Sequence, residues 1–321
     1  MSPYNKDLSL RRDGFNAFAV WRRSPAFLAM QRLDCIFSFD LVEAAQQRQH
    51  LKEGFDLLPL EPKSAFDHVR FAHIQTQTLE EVLDLVLNAV LLTGCHTVTL
   101  SGVTVHTPPP RASGRVHSRR QRSSNDVVYL EFLQKLRLYR FNLSPPQWDS
   151  FLSNMIVESL CGLEINGETS MAAVHNFLLQ NPDIHELRFI SSTWMDIPSS
   201  PRQLDLPKLR TLQGSLSQIL YLLHSFPSSP YLHTLKIGSS PPAESQPGRF
   251  VDQVTDCVAM CDRSLHLEVN ISKEQCMAGL ELADVRAWAA HKLDSITLPT
   301  VTKLRLYFEG NDEVLPVRDY L

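Results

Sequence analysis

The stretch "FLQKLRLYRFNLSPPQWDSFL", residues 132–152, decides what kind of fold this chain can have. Leu133, Leu136 and Leu138 stand in a Leu-x-x-Leu-x-Leu run, and Ser144 followed by two prolines opens a helix-like segment. In "LRLYR" the period-2 alternation of a strand sends Leu136 and Leu138 to one face and Arg137 and Tyr139 to the other. A single strand of this kind fits many domains. A recurring one makes an array.

It recurs. From Phe66 onward the form Φ-x-x-Φ-x-Φ, with Φ apolar, appears as Phe66/Val69/Phe71, Cys95/Val98/Leu100 and Leu133/Leu136/Leu138. It continues as Leu160/Leu163/Ile165, Ile184/Leu187/Phe189, Leu232/Leu235/Ile237 and Val301/Leu304/Leu306. Two weaker members are Leu209/Leu212, which runs into Gly214, and Leu265/Leu267, which has Asp262 at the first position. With 43% apolar residues, chance alone supplies about twenty-five such matches, so the signature proves nothing by itself.

The spacing and the intervening segments carry the weight. Between residues 136 and 235 the steps are 27, 24, 25 and 23, within the range of leucine-rich repeats. Each gap holds a helix-like segment with its own signals. "TLEEVLDLVLNAVLLTG" opens on a Thr-x-x-Glu capping box and ends at Gly94. "SPPQWDSFLSNMIVES" starts at Ser144, "SMAAVHNFLLQNP" runs from Ser170 to Pro182, and "SLSQILYLLHSFPSSP" from Ser215 to Pro227. Strand, helix, strand at near-constant period predicts an α/β fold: an irregular leucine-rich-repeat solenoid. Its curved parallel sheet would form the concave side and its helices the convex side.

The array is expected over residues 61–321, with a flexible insertion at 106–126, "HTPPPRASGRVHSRRQRSSND", which has almost no apolar side chains. "GSSPPAESQPGRF" (238–250) is a second soft insertion. Residues 1–60 show no regular period. "NAFAVWRRSPAFLAMQRLDCIF" and "LVEAAQQRQHLKEGF" read as irregular helices.

The 321 residues include 21% charged ones and carry a formal net charge of −4, which disfavours a nucleic-acid-coating protein. Six cysteines without C-x-x-C pairs fit reduced thiols. The N-terminus lacks a signal-peptide apolar region, and the most apolar segment is too short and too charged to span a bilayer. A cytoplasmic or nuclear location, without membrane contact, is the expectation.

"LPKLRTLQGSLSQILYLLHSFPSSPYLHTLKIG" (206–238) resembles the irregular leucine-rich repeats of fungal F-box-type proteins, and "NFLLQNPDIHELRF" (176–189) has the same form. The resemblance covers roughly residues 60–321. It implies an adaptor: an F-box that binds the Skp1-type subunit of a ubiquitin ligase, and repeats that capture a substrate. Residues 1–60 hold no Leu-Pro-x-Glu-like opening, so this segment reads as a degenerate or missing box. "FDLLPLEP" (55–62) resembles the linker that follows one. The asparagine ladder of regular repeats is absent, which predicts variable turns after the strands.

No enzyme motif is present: no G-x-G-x-x-G, no G-x-x-x-x-G-K, no G-x-S-x-G and no H-E-x-x-H. No catalytic residue, cofactor or metal is therefore expected. Cys257 and Cys261 stand four apart on one helix face and read as two buried thiols rather than ligands with His266. His68, His73 and His96 read as surface or packed histidines. The arginines 111, 115, 119, 120 and 122 form a solvated basic run with no interleaved aromatics for nucleic acid, or else a targeting or acidic-partner contact.

What the strands would show on their open face is more specific. The residue between the last two apolar positions is Arg70, Thr99, Arg137, Glu164, Arg188, Gln213, Lys236, His266 and Arg305 in successive units. The next outward positions include Tyr139, Asn166 and Tyr307. Five of the nine are Arg or Lys in a chain with more acids than bases. Such a wall suits an acidic or phosphorylated protein segment, which arginine grips through paired hydrogen bonds.

Overall fold

The computed structural model describes residues 7–11, 15, 31–56, 66–106, 128–196, 203–226, 230–238, 247–261, 265–271 and 301–308. The basic run 111–122, the segment 239–246 and most of the F-box-like linker lie outside them. The chain is an α/β protein of parallel strands and helices. It forms two compact units, one of residues 1–181 with 193–197, the other of residues 182–192 with 198–321.

The first unit holds strands β1 (Asp7–Leu10) and β2 (Arg32–Ile36), helix α1 (Leu41–Asp56), β3 (His68–Ala72), β4 (Gln75–Thr76) and helix α2 (Leu79–Thr93). Next come β5 (Thr97–Ser101), β6 (Thr104–Val105), β7 (Val128–Tyr129), β8 (Lys135–Tyr139), helix α3 (Pro145–Ser153), β9 (Met155–Ile156), β10 (Gly162–Ser170) and helix α4 (Met171–Gln180). Strands β1, β2, β3, β5, β8 and β10 pair in parallel in that order, while β4–β6 and β7–β9 make two small parallel pairs.

Parallel pairing needs a crossover between neighbours; α1 supplies it between β2 and β3, α2 between β3 and β5, and α3 between β8 and β10. The sequence specifies where they start. Thr78 caps α2 by accepting from the Glu81 amide at 3.4 Å, and Gly94 ends it in the left-handed region with its N–H on Val90 O at 2.8 Å. The expected capping box is only half made, because the Glu81 carboxylate turns to Arg48 (2.9 Å) and to the Thr76 hydroxyl. That tie joins α1, β4 and α2. Ser144 is held by Gln147 Oε1, which accepts from its amide at 2.9 Å. Ser170 accepts from the Ala173 amide at 3.2 Å and donates to Asp196 at 2.9 Å.

Register places like residues side by side. Leu33, Val69, Val98, Leu136 and Leu163 form one row, and Cys35, Phe71, Leu100, Leu138 and Ile165 the next. None of the ten is more than 1% exposed. Helix α2 packs on β5, and α3 and α4 on β10, so the buried row is the one that the helices cover. Each leucine buried there contributes about 1.5–3 kcal/mol. Beside them Trp148 of α3 stacks on Phe141 at 5.1 Å between ring centroids and meets Phe151 edge-on at 6.4 Å.

Two features depart from the sequence reading. Residues 1–60 contain strands as well as a helix, with β2 in register beside β3, and Met30/Leu33/Cys35 repeats the Φ-x-x-Φ-x-Φ form. The period is hidden because 36 residues separate Leu33 from Val69. The turns after three strands of this unit are also alike, not variable. His73, Gly102 and Arg140 follow β3, β5 and β8 with φ of 58°, 65° and 54°. Their amides continue the ladder onto Ser101 O, Tyr139 O and Asn166 O at 2.7–2.8 Å, and buried Ile74, Val103 and Phe141 come next.

The left-handed step costs an L-residue about 1–2 kcal/mol, so the glycine among the three is the informative one. A Cβ at Gly102 would meet nothing closer than 3.6 Å, which leaves backbone strain as the cost. Gly102→Ala is expected to destabilise the chain by about 1 kcal/mol in urea titration, with Arg140→Gly moving the midpoint the other way or not at all. An unchanged Gly102→Ala midpoint would refute the strain.

The second unit takes in the first part of β11 (Glu186–Asp196), then β12 (Thr211–Gly214), helix α5 (Leu216–Ser225), β13 (Thr234–Ile237), helix α6 (Pro247–Ala259), β14 (Leu265–Ile271) and β15 (Val301–Phe308). They pair in parallel in chain order, aligning Leu187, Leu212, Leu235, Leu267 and Leu304. Ser215 and Gln218 form a reciprocal cap on α5, and Gln218 Nε2 donates onward to Ser192 O at 3.0 Å. In β14 the aligned leucine is Leu267, not Leu265. A slip of two residues keeps every side chain on its own face, so alternation cannot detect it. The outward residue of this strand's rung is therefore Glu268 instead of His266.

Cys257 and Cys261 are buried, and the Cys261 thiol donates to Cys257 O at 3.4 Å. Burial pushes the Cys95 thiol up to about 12 and the Cys35 and Cys257 thiols well upward as well. Among the described residues, no group of three or more His, Cys, Asp or Glu could hold a metal ion. No described helix is long and apolar enough to cross a membrane.

Candidate recognition surface

The rows opposite the leucines are polar and mostly half-exposed, with Thr99 and Glu268 buried among them. In the first unit Asp34, Arg70, Thr99, Arg137 and Glu164 are neighbours in register, with His68, Thr97 and Lys135 in the row before and Ser101, Tyr139 and Asn166 in the row after. All five proposed contact residues of this unit, Arg70, Arg137, Tyr139, Glu164 and Asn166, thus share one face.

Their charges are largely engaged with one another. Arg137 Nε lies 3.5 Å from Glu164 Oε2, the Tyr139 hydroxyl donates to the same carboxylate, and Arg32 Nε donates to Asp34 at 3.1 Å. Arg70 stands between Asp34 and Thr99, its Nε buried without a hydrogen-bond partner.

His68 lies among these cations, its Nε2 hydrogen-bonded to Thr99 Oγ1 at 2.9 Å. Burial is the first cause that lowers its pKa to about 4; Arg32, Arg137 and Arg70 add to it and Asp34 opposes. The folded chain therefore refuses a proton that the unfolded chain takes near 6.5. Stability should fall as pH drops from about 6.5 towards 4. Ring resonances of His68 are expected to titrate near pH 4 in NMR, and higher in Arg137→Ala. A midpoint near 6.5 would contradict the packing described.

In the second unit Arg188, Gln213, Lys236, Glu268 and Arg305 line up, with Tyr307 beside Asn270. Arg188 pairs with Glu186. Glu268 gathers Lys236 Nζ at 2.7 Å and Arg305 Nη1 at 3.3 Å, with the His266 ring 3.4 Å away. Burial alone would raise its carboxyl, but Lys236, His266 and Arg305 together hold it below the ordinary value.

The sequence thus placed Arg70, Arg137, Glu164, Arg188, Lys236 and Arg305 on the outward row but missed the acids Asp34 and Glu268. Asp34 stands within residues 1–60, which show no regular period, and Glu268 is hidden by the two-residue slip. Sequence predicts a basic wall; the strands set Asp34, Glu164 and Glu268 among the cations.

No family model matches the chain, and no curated protein matches it. The site is therefore read from its own chemistry. Paired charges, a tyrosine, an asparagine and a histidine held neutral by burial share this face of the first unit's strands.

Proposed function

We propose that this chain is a non-catalytic recognition protein, an irregular leucine-rich-repeat array that captures a protein partner through the polar rows of its strands. The observation carrying this reading is the in-register alignment of polar, mostly charged residues opposite buried apolar rows. Each rung adds one polar side chain to the row, so specificity comes from summing several weak matches. The partner is an acidic or phosphorylated protein segment whose anions compete with Glu164 and Glu268 for Arg137, Lys236 and Arg305. Its resemblance to F-box-type proteins makes the chain a substrate adaptor of a ubiquitin ligase, working in the cytoplasm or nucleus.

Arg137→Glu combined with Arg188→Glu should weaken recovery of protein partners by affinity purification at least tenfold, with the circular dichroism melt retained. Unchanged recovery by a stable variant removes the reading. The ligase connection is tested with the intact chain, since deleting residues 1–60 would strip β1, β2 and α1 from the first unit. Co-purification of a Skp1-type subunit supports the adaptor. Its absence, with partner capture retained, leaves a repeat scaffold without a ligase role.

A further inference from the structure

A second feature of the first unit is independent of the polar rows. A cavity of about 400 Å³ opens at the carboxyl ends of β1, β2 and β3, lined by Arg11, Ile36, Phe37, Ser38, Phe39, Gln47 and His73. Three strand ends converge on it: Arg11 follows β1, Ile36 ends β2 and His73 follows β3.

The polar groups at its wall are not equivalent. Gln47 of α1 is only 5% exposed. Its Oε1 accepts from the Ser38 amide at 2.8 Å, which fixes the orientation of the side-chain amide and leaves Nε2 as the end without a hydrogen-bond partner. The Ser38 hydroxyl is committed, donating to Glu43 at 3.0 Å and accepting from the Asp40 amide at 3.1 Å. Asp40 in turn caps α1 through the amides of Val42 and Glu43, at 2.8 and 3.0 Å, and neither acid lines the cavity. Arg11 is exposed and lines the cavity.

The rest of the wall is Ile36, two phenylalanines and the His73 ring. Phe37 is buried against Phe15 and Phe71, with ring centroids 5.4 and 6.3 Å apart. Phe39 is 72% exposed and rests on the His73 ring at 4.9 Å. A large aromatic left that open, beside a cation and an unsatisfied buried donor, calls for a ligand that is apolar at one end and a hydrogen-bond-accepting anion at the other.

We propose that this cavity binds an apolar carboxylate, its oxygens held by Arg11 and Gln47 Nε2 and its apolar body laid against Phe39, His73 and Ile36. The same chemistry is offered by a free apolar acid and by the carboxyl terminus of a peptide with an apolar last residue.

Isothermal titration of the full-length chain tests this with N-acetyl-phenylalanine, its amide, 3-phenylpropionate and a pentapeptide ending in phenylalanine. N-acetyl-phenylalanine is expected to bind saturably and at least tenfold more tightly than the amide. Arg11→Ala, at an exposed position that folding tolerates, should reduce the acid to the level of the amide. Gln47→Glu keeps an acceptor for the Ser38 amide while replacing the donor by a carboxylate, and should have the same effect. A pentapeptide binding at least as well as 3-phenylpropionate assigns the site to peptide termini, and the reverse order assigns it to free acids. Absence of saturable binding by any acid up to about 10 mM overturns the proposal. So does equal affinity for acid and amide, or an Arg11→Ala variant that binds as before.

Discussion

Trp148→Ala is expected to destabilise the chain by about 3–5 kcal/mol, the cost of removing a large buried aromatic and leaving the space unfilled. Trp148 is fully buried, stacked on Phe141 and flanked by Phe151, and α3 uses this cluster to pack. It also carries a buried Nε1 without a hydrogen-bond partner, so no hydrogen bond is lost with the ring. Trp148→Phe, which keeps most of the volume, should cost about 1–2 kcal/mol. Urea denaturation followed by far-ultraviolet circular dichroism separates the two. A loss below about 1 kcal/mol for the alanine variant would mean that α3 does not pack where it is described. Against a total of about 5–15 kcal/mol for a typical domain, the expected loss threatens folding outright.

Glu268→Ala should destabilise by about 2 kcal/mol at neutral pH. Breaking a buried ion pair costs about 3–5 kcal/mol, and the figure is reduced here because Lys236 and Arg305 keep contact with water. The Glu268 side chain is 11% exposed, those of Lys236 and Arg305 32% and 40%. Removing the carboxylate leaves two cations and a histidine facing one another. The pH dependence has a definite sign. Glu268 is held below its ordinary value of 4.5 in the folded chain, so its contribution is complete above that pH and drains away as pH falls below it. The gap between wild type and Glu268→Ala should therefore close in acid. A gap that stayed constant from pH 7 to 3 would show that the carboxylate is not stabilised by its neighbours.

The local part of this fold was legible in the sequence. The helix starts at Thr78, Ser144, Ser170 and Ser215 carry their own caps within three or four residues, and the buried face follows from alternation alone. What could not be read depends on pairing between distant residues. The place of Leu33 and Cys35 in the row is set by register with β3, across a gap too long for the period to show. Leu267 rather than Leu265 aligns with Leu235 because β14 pairs that way, a choice neutral to alternation. His73 and Arg140 take the left-handed step without the glycine that would announce it. The candidate surface was half visible: its arginines stood out, but the acids that temper them emerged only when strands were laid side by side. The cavity at Arg11, Gln47 and His73 was invisible, since those residues converge only through stacking.

The aligned polar rows also act as a ruler. Adjacent strands lie about 4.8 Å apart, so a partner lying across them meets the next rung's side chain at that interval. An extended peptide repeats one face about every 6.8 Å and falls out of step after a single rung. A helix repeats one face every 5.4 Å and drifts only about 0.6 Å per rung, which keeps three or four successive rungs in reach. The pitch of Asp34, Arg70, Thr99, Arg137 and Glu164 is thus commensurate with a helical face, and charges spaced three or four residues apart along that face would fall on consecutive strands.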